Sequence, residues 1–162
     1  PECYKRENID VFVKQGVYTE KEVIARANIS LENYIKAINI EALTMLEMAR
    51  QDIYPSVNGY IAELCSVIAS KQTISSKISC EADITLAEKL STMNEAMANA
   101  MKKLETDLSE MPAAIGPASQ KMAHVVVPDM EAVRALADSM EKLTSSDYWP
   151  YPSYTDMLYS IK

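Results

Sequence analysis

The sequence predicts an all-α protein: an elongated antiparallel bundle of three long helices, with two short helices ahead of it and an irregular aromatic tail behind. Three observations carry this. Only three of the 162 residues are glycine, too few for many tight hairpins or a glycine-rich phosphate loop. Ala, Leu, Met, Glu and Lys are plentiful, and all favour helix. Apolar residues then recur at helical spacing over three long stretches.

The elements follow in order. "NIDVFVKQ" (8–15) reads as a short helix stopped by Gly16. Thr19 and Glu22 have capping-box spacing, which predicts a second short helix from about 20 to 28. Ser30 is a good N-cap for a longer element. Positions 35, 38, 42, 46, 49, 53, 57, 60, 64 and 68 are Ile, Ile, Ala, Leu, Ala, Ile, Val, Tyr, Leu and Ile. This 3-4-4 spacing keeps its phase through Pro55, which falls on the opposite side from Leu46. It predicts one proline-kinked helix over 31–73, about 60 Å long at 1.5 Å per residue. Two helices broken at Tyr54 are the alternative. Leu86, Leu90, Met93, Met97, Met101, Leu104 and Leu108 mark a second long helix over 83–111. "MPAAIGP" (111–117) reads as the turn. Met122, Val126, Met130, Val133, Ala137 and Met140 mark the third over 118–143, with Pro128 between stripe positions. "VVV" (125–127) reads locally as strand, but the helical frame around it is longer. The expected organisation is therefore a single domain: short helices over 1–30, the bundle over 31–144 and the tail over 145–162.

Composition excludes several functions. The net charge of −7 repels phosphate backbones and anionic lipid, which argues against nucleic-acid and membrane partners. Three scattered cysteines with no CxxC suggest reduced thiols in a cytoplasmic protein, neither a disulfide framework nor a zinc site. The one histidine, His124, has no Glu three residues earlier, so the Glu-x-x-His pair of di-iron bundles is missing. No nucleophile–base constellation is visible. Carboxylates such as Glu81, Asp83, Glu105, Asp107 and Glu110 lie off the stripes and read as a solvated face. Six of the ten methionines lie on stripes and read as core. No catalytic, cofactor-binding or metal residue is expected.

One stretch resists this bland reading. "SSDYWPYPSYTDMLYSIK" (145–162) holds five of the eleven aromatic residues, including the single tryptophan. Pro150 and Pro152 forbid a helix through Tyr148, Trp149 and Tyr151. Tyr148, Trp149, Tyr151 and Tyr154 are therefore candidate anchors, docking on the bundle itself or on another domain or subunit. Ser153 is positioned to cap a terminal turn of helix.

Three segments carry a resemblance. "GVYTEKEVIARANISLENYIKAINIEALTMLEMARQDIYPSV" (16–57), "VVVPDMEAVRALAD" (125–138) and "DYWPYPSYTDMLYS" (147–160) resemble the C-terminal region of type III glutamine synthetases, the large bacterial form. The resemblance implies a parent enzyme that joins ammonia to glutamate using ATP and Mg2+ or Mn2+, through a γ-glutamyl phosphate. It implies that the metal-binding Glu and His belong to a catalytic region preceding this segment, none of whose motifs occurs here. The start at Pro1 rather than Met agrees with a piece of something longer. The implied partners are the catalytic region of the same enzyme and neighbouring subunits of a homo-oligomer. Ile40, Leu43 and Met48, off the main stripe, are the residues expected to meet them. A free-standing helical module that grips partner proteins is the alternative.

Overall fold

The structure, a computed structural model, describes residues 5–152 and 154–159. All regular structure among them is helical: α1 (Arg6–Lys14), α2 (Glu20–Met48), a π turn (Ala49–Ile53), α3 (Tyr54–Ile74), α4 (Glu81–Ser109), α5 (Ile115–Lys121), a second π turn (Met122–Val126), α6 (Val127–Glu141) and α7 (Tyr154–Tyr159). Helix is unbroken through each π turn, so three long helical runs result, 20–74, 81–109 and 115–141.

Two expectations are corrected. The second short helix does not exist as a separate element, because α2 starts at Glu20 and runs straight through Ser30. The reason is that the apolar stripe extends backwards: Val23 and Ala27 are buried in phase with Ala42 and Leu46. Packing along a continuous face outweighs the weak preference of one serine for a cap. The turn at 111–117 is shorter than expected, because α5 begins at Ile115. Pro117 then lies in the first helical turn, where its missing N–H costs no bond.

Both helix-internal prolines stand two residues beyond a π turn. Tyr54 N–H donates to the carbonyl of Ala49, five residues back, just before Pro55. Val127 N–H does the same to Met122, just before Pro128. A regular helix would drive each pyrrolidine ring into the carbonyl four residues earlier; the wider π turn opens the backbone at that point. The chain therefore stays helical through both prolines rather than breaking.

The chain divides into two compact units, Pro1–Leu43 with Thr106–Pro128, and Thr44–Glu105 with Asp129–Lys162. In the first, α1 ends in a Schellman motif. Gly16 adopts φ +65°, while Val17 N–H bonds Phe12 O at 3.1 Å and Gly16 N–H bonds Val13 O at 3.1 Å. The capping box forms as expected. Thr19 N–H donates to Glu22 Oε2 at 2.7 Å, and Glu22 N–H donates to Thr19 Oγ1 at 3.3 Å. The Thr19 backbone and hydroxyl donors hold the Glu22 carboxyl below its usual pKa. Ile9, Val23, Ala27, Ala42, Ala118, Met122 and Val126 are buried in this unit.

In the second unit α3 and α4 are antiparallel neighbours. Lys71 pairs with Asp83 at 2.5 Å, Asn58 accepts from Asn94 at 3.0 Å, and Arg50 pairs with Glu105 at 3.0 Å. One partner number rises as the other falls. Leu90, Met97, Leu104, Val57, Val133 and Met140 are sealed from solvent, so the predicted stripes do form the seam. Asn94 was not expected there. It occupies the phase between Leu90 and Met97 and is buried, with Nδ2 donating to Tyr54 O at 3.3 Å. Some carboxylates read as solvated are bridging charges: Glu105 meets Arg50, and Asp107 meets Lys121 at 3.5 Å.

Candidate interaction surface

After α6 the chain reverses through a bonded turn. Thr144 N–H reaches Met140 O at 2.9 Å, and the N–H groups of Tyr148 and Trp149 both reach Ser145 O, at 2.9 and 3.0 Å. This turn aims the aromatic hook at the first π turn and α3, within the second unit. Tyr148 lays its ring beside Tyr60, with centroids 5.4 Å apart. The same ring lies over Gly59, where a Cβ would stand 3.4 Å from its edge carbons. Its hydroxyl donates to Glu63 Oε2 at 3.3 Å. Tyr151 donates its hydroxyl to Asp52 Oδ2 at 2.7 Å, and Asp52 belongs to the π turn. Burial, then the Asp52 hydrogen bond, push the Tyr151 phenol up to about 12. Burial, then the Glu63 charge, raise Tyr148 in the same direction.

Trp149 is half-buried and lines a small cavity of about 110 Å³ with Glu141, Thr144 and Tyr151. Two of the hook's predicted anchors thus spend their polar ends on the chain's own helix. The Tyr154 side chain and Ser153 lie outside the described residues. α7 exposes Met157, Leu158 and Tyr159.

The residues expected to meet a partner are exposed. On α2 in the first unit, Ile40 is 64% and Leu43 52% exposed. Ile29, 11 residues before Ile40, shares their face and is also exposed. Met48 is 40% exposed in the second unit, beside a cleft. Within the second unit the structure docks Tyr148 on α3 and Tyr151 on the adjoining π turn, while Ile40 and Leu43 belong to the first unit. Sequence reasoning missed Asp52, Gly59, Tyr60 and Glu63 as the hook's receptor. Positions 52, 59, 60 and 63 share one helical face, but nothing in the sequence singles that face out as the hook's receptor.

Among the described residues no three His, Cys, Asp or Glu side chains gather so as to hold an ion, and His124 is exposed. No helix among them is long and apolar enough to cross a membrane.

Comparison with known proteins places this arrangement. Residues 1–72 match the family described as "Glutamine synthetase C-terminal domain". The chain is 34% identical over 159 residues to the glutamine synthetase of Butyrivibrio fibrisolvens, covering 96% of this chain and 23% of that protein. It is 22% identical over 166 residues to the glutamine synthetase of Bacteroides fragilis (strain YCH46), covering 93% of this chain and 21% of that protein. It therefore spans less than a quarter of the length of these relatives. The family match over residues 1–72, the all-helical fold and the similarity to two glutamine synthetases along nearly the whole chain agree: residues 1–72 carry the glutamine synthetase C-terminal domain.

Proposed function

We propose that residues 1–162 act as one accessory, non-catalytic domain of a type III glutamine synthetase, a cytoplasmic bacterial enzyme that ligates ammonia to glutamate at the expense of ATP. In this reading ATP and Mg2+ or Mn2+ are held by the catalytic region of the parent. This domain serves assembly, packing against that region and against neighbouring subunits of a homo-oligomer. One observation carries the reading: a chain that aligns almost end to end with two glutamine synthetases accounts for only 23% and 21% of their lengths. The exposed α2 face supports it. Ile40 and Leu43 are large apolar side chains on a well-formed helix, and such faces are usually covered in the working assembly. The aromatic hook has a narrower part: Tyr148 ties it to α3 and Tyr151 to the first π turn.

The test uses the enzyme encoded by the complete reading frame. Ile40→Asp with Leu43→Asp is expected to leave the helical content unchanged and to break the oligomer, read by light scattering after size exclusion. A charged pair at these positions that leaves the assembly intact would remove this face from the interface. A reading frame encoding this domain alone would favour the free-standing interaction module.

A further inference from the structure

We propose that the second unit binds a small amphiphile, an acyl chain ending in a carboxylate, in an apolar cleft beside the first π turn. The proposal stands apart from the assembly role. The cleft measures about 250 Å³. It exists because small residues meet where larger ones would close the seam: Ala49 in the π turn and Ala137 on α6 both line it. Elsewhere the seam is sealed by Leu90, Leu104 and Met140.

Its chemistry selects the ligand. Met45, Met48 and Met97 supply three thioether side chains, which adapt to apolar ligands of varied shape. Ile53 and Val133 complete an apolar wall. The volume suits a short acyl chain and is too small for a drug-sized molecule, whose pockets run to roughly 300–1,000 Å³. The one charged residue of the lining is Arg134. Its side chain is 75% exposed, so its stem belongs to the wall and its guanidinium to the solvent side. Asp138 meets that guanidinium only at 3.7 Å, one helical turn on. This loose pair leaves N–H donors for an incoming carboxylate. An apolar slot with one cation at its mouth is complementary to a monocarboxylate.

The experiment titrates sodium octanoate into the full chain carrying 13C-methyl methionine. The methyl resonances of Met45, Met48 and Met97 are expected to move on one saturating curve while Met122, in the other unit, stays still. Ala137→Phe is expected to abolish the shifts. Arg134→Gln is expected to weaken octanoate roughly two- to five-fold, the range of an exposed ion pair, and to leave 1-octanol unchanged. Shifts that fail to saturate, or that involve Met122 equally, would overturn the site without recourse to any variant. Equal losses for octanoate and octanol in Arg134→Gln would overturn the carboxylate.

Discussion

The two π turns are built alike and used differently. Each precedes a proline by the same two residues, and each carries one i to i−5 bond. The first, Ala49–Ile53, faces outward as well as inward. Its Asp52 receives the Tyr151 hydroxyl, and its Ala49 and Ile53 wall an open cleft. In the second, Met122 and Val126 are sealed in the core of the first unit, and His124 stands in solvent. One local solution to a proline inside a helix thus serves once as a docking point and once as plain continuity. The residues at the wide turn, not the turn itself, decide which.

Core truncation should separate the two turns most strongly. Met122→Ala and Ile53→Ala each fall in a class that costs about 2–5 kcal/mol. Met122 is expected near the top of that range and Ile53 near the bottom, because a void at Ile53 opens into an existing cleft. Urea unfolding with unchanged m-values is the check, and equal midpoints would erase the distinction.

A smaller effect is expected from Tyr151→Phe, which removes the hydroxyl bond to Asp52 at a cost of about 0.5–1.5 kcal/mol. Its pH signature is the sharper test. The folded phenol is raised to about 12 from an ordinary value near 10. A group raised in the folded state contributes stability that is fully present below the unfolded value and lost as pH rises through the folded one. Wild-type stability should therefore fall between about pH 10 and 12 more steeply than that of Tyr151→Phe. Parallel curves would mean that Asp52 does not hold the hook. The smallest effect is expected at the second turn: His124→Ala should stay within about 0.5 kcal/mol, as an exposed side chain away from the packing, by the same urea measurement.

Much of this fold was legible because helical burial is periodic. The stripe through Ala42, Leu46, Val57 and Leu64 could be traced past Pro55, and those residues are buried. Ser30 misled because a capping residue is a local signal, whereas the face extending back to Val23 is a long one. Asn94 escaped because a polar residue in a seam is anchored by a partner distant in sequence, the Tyr54 carbonyl, which periodicity does not reveal. The hook's aromatics were visible from composition, but their receptor lies 85 and 99 residues earlier in the chain. Spacing along one strand of sequence says nothing of which distant face a tail will meet. The exposed Ile40 and Leu43 were readable for the opposite reason: they break the period of the stripe on the same helix.

A π turn holds one residue more than a regular helix needs to join the same two flanks. Among relatives of this domain that lack the proline after the turn, loss of one residue within 49–53 or 122–126 should leave everything beyond it facing as before. The same loss within 60–63 would swing the rest of α3 through about 100° and carry Leu64 away from its neighbours. These two wide turns are therefore where the domain can change its length and keep its fold.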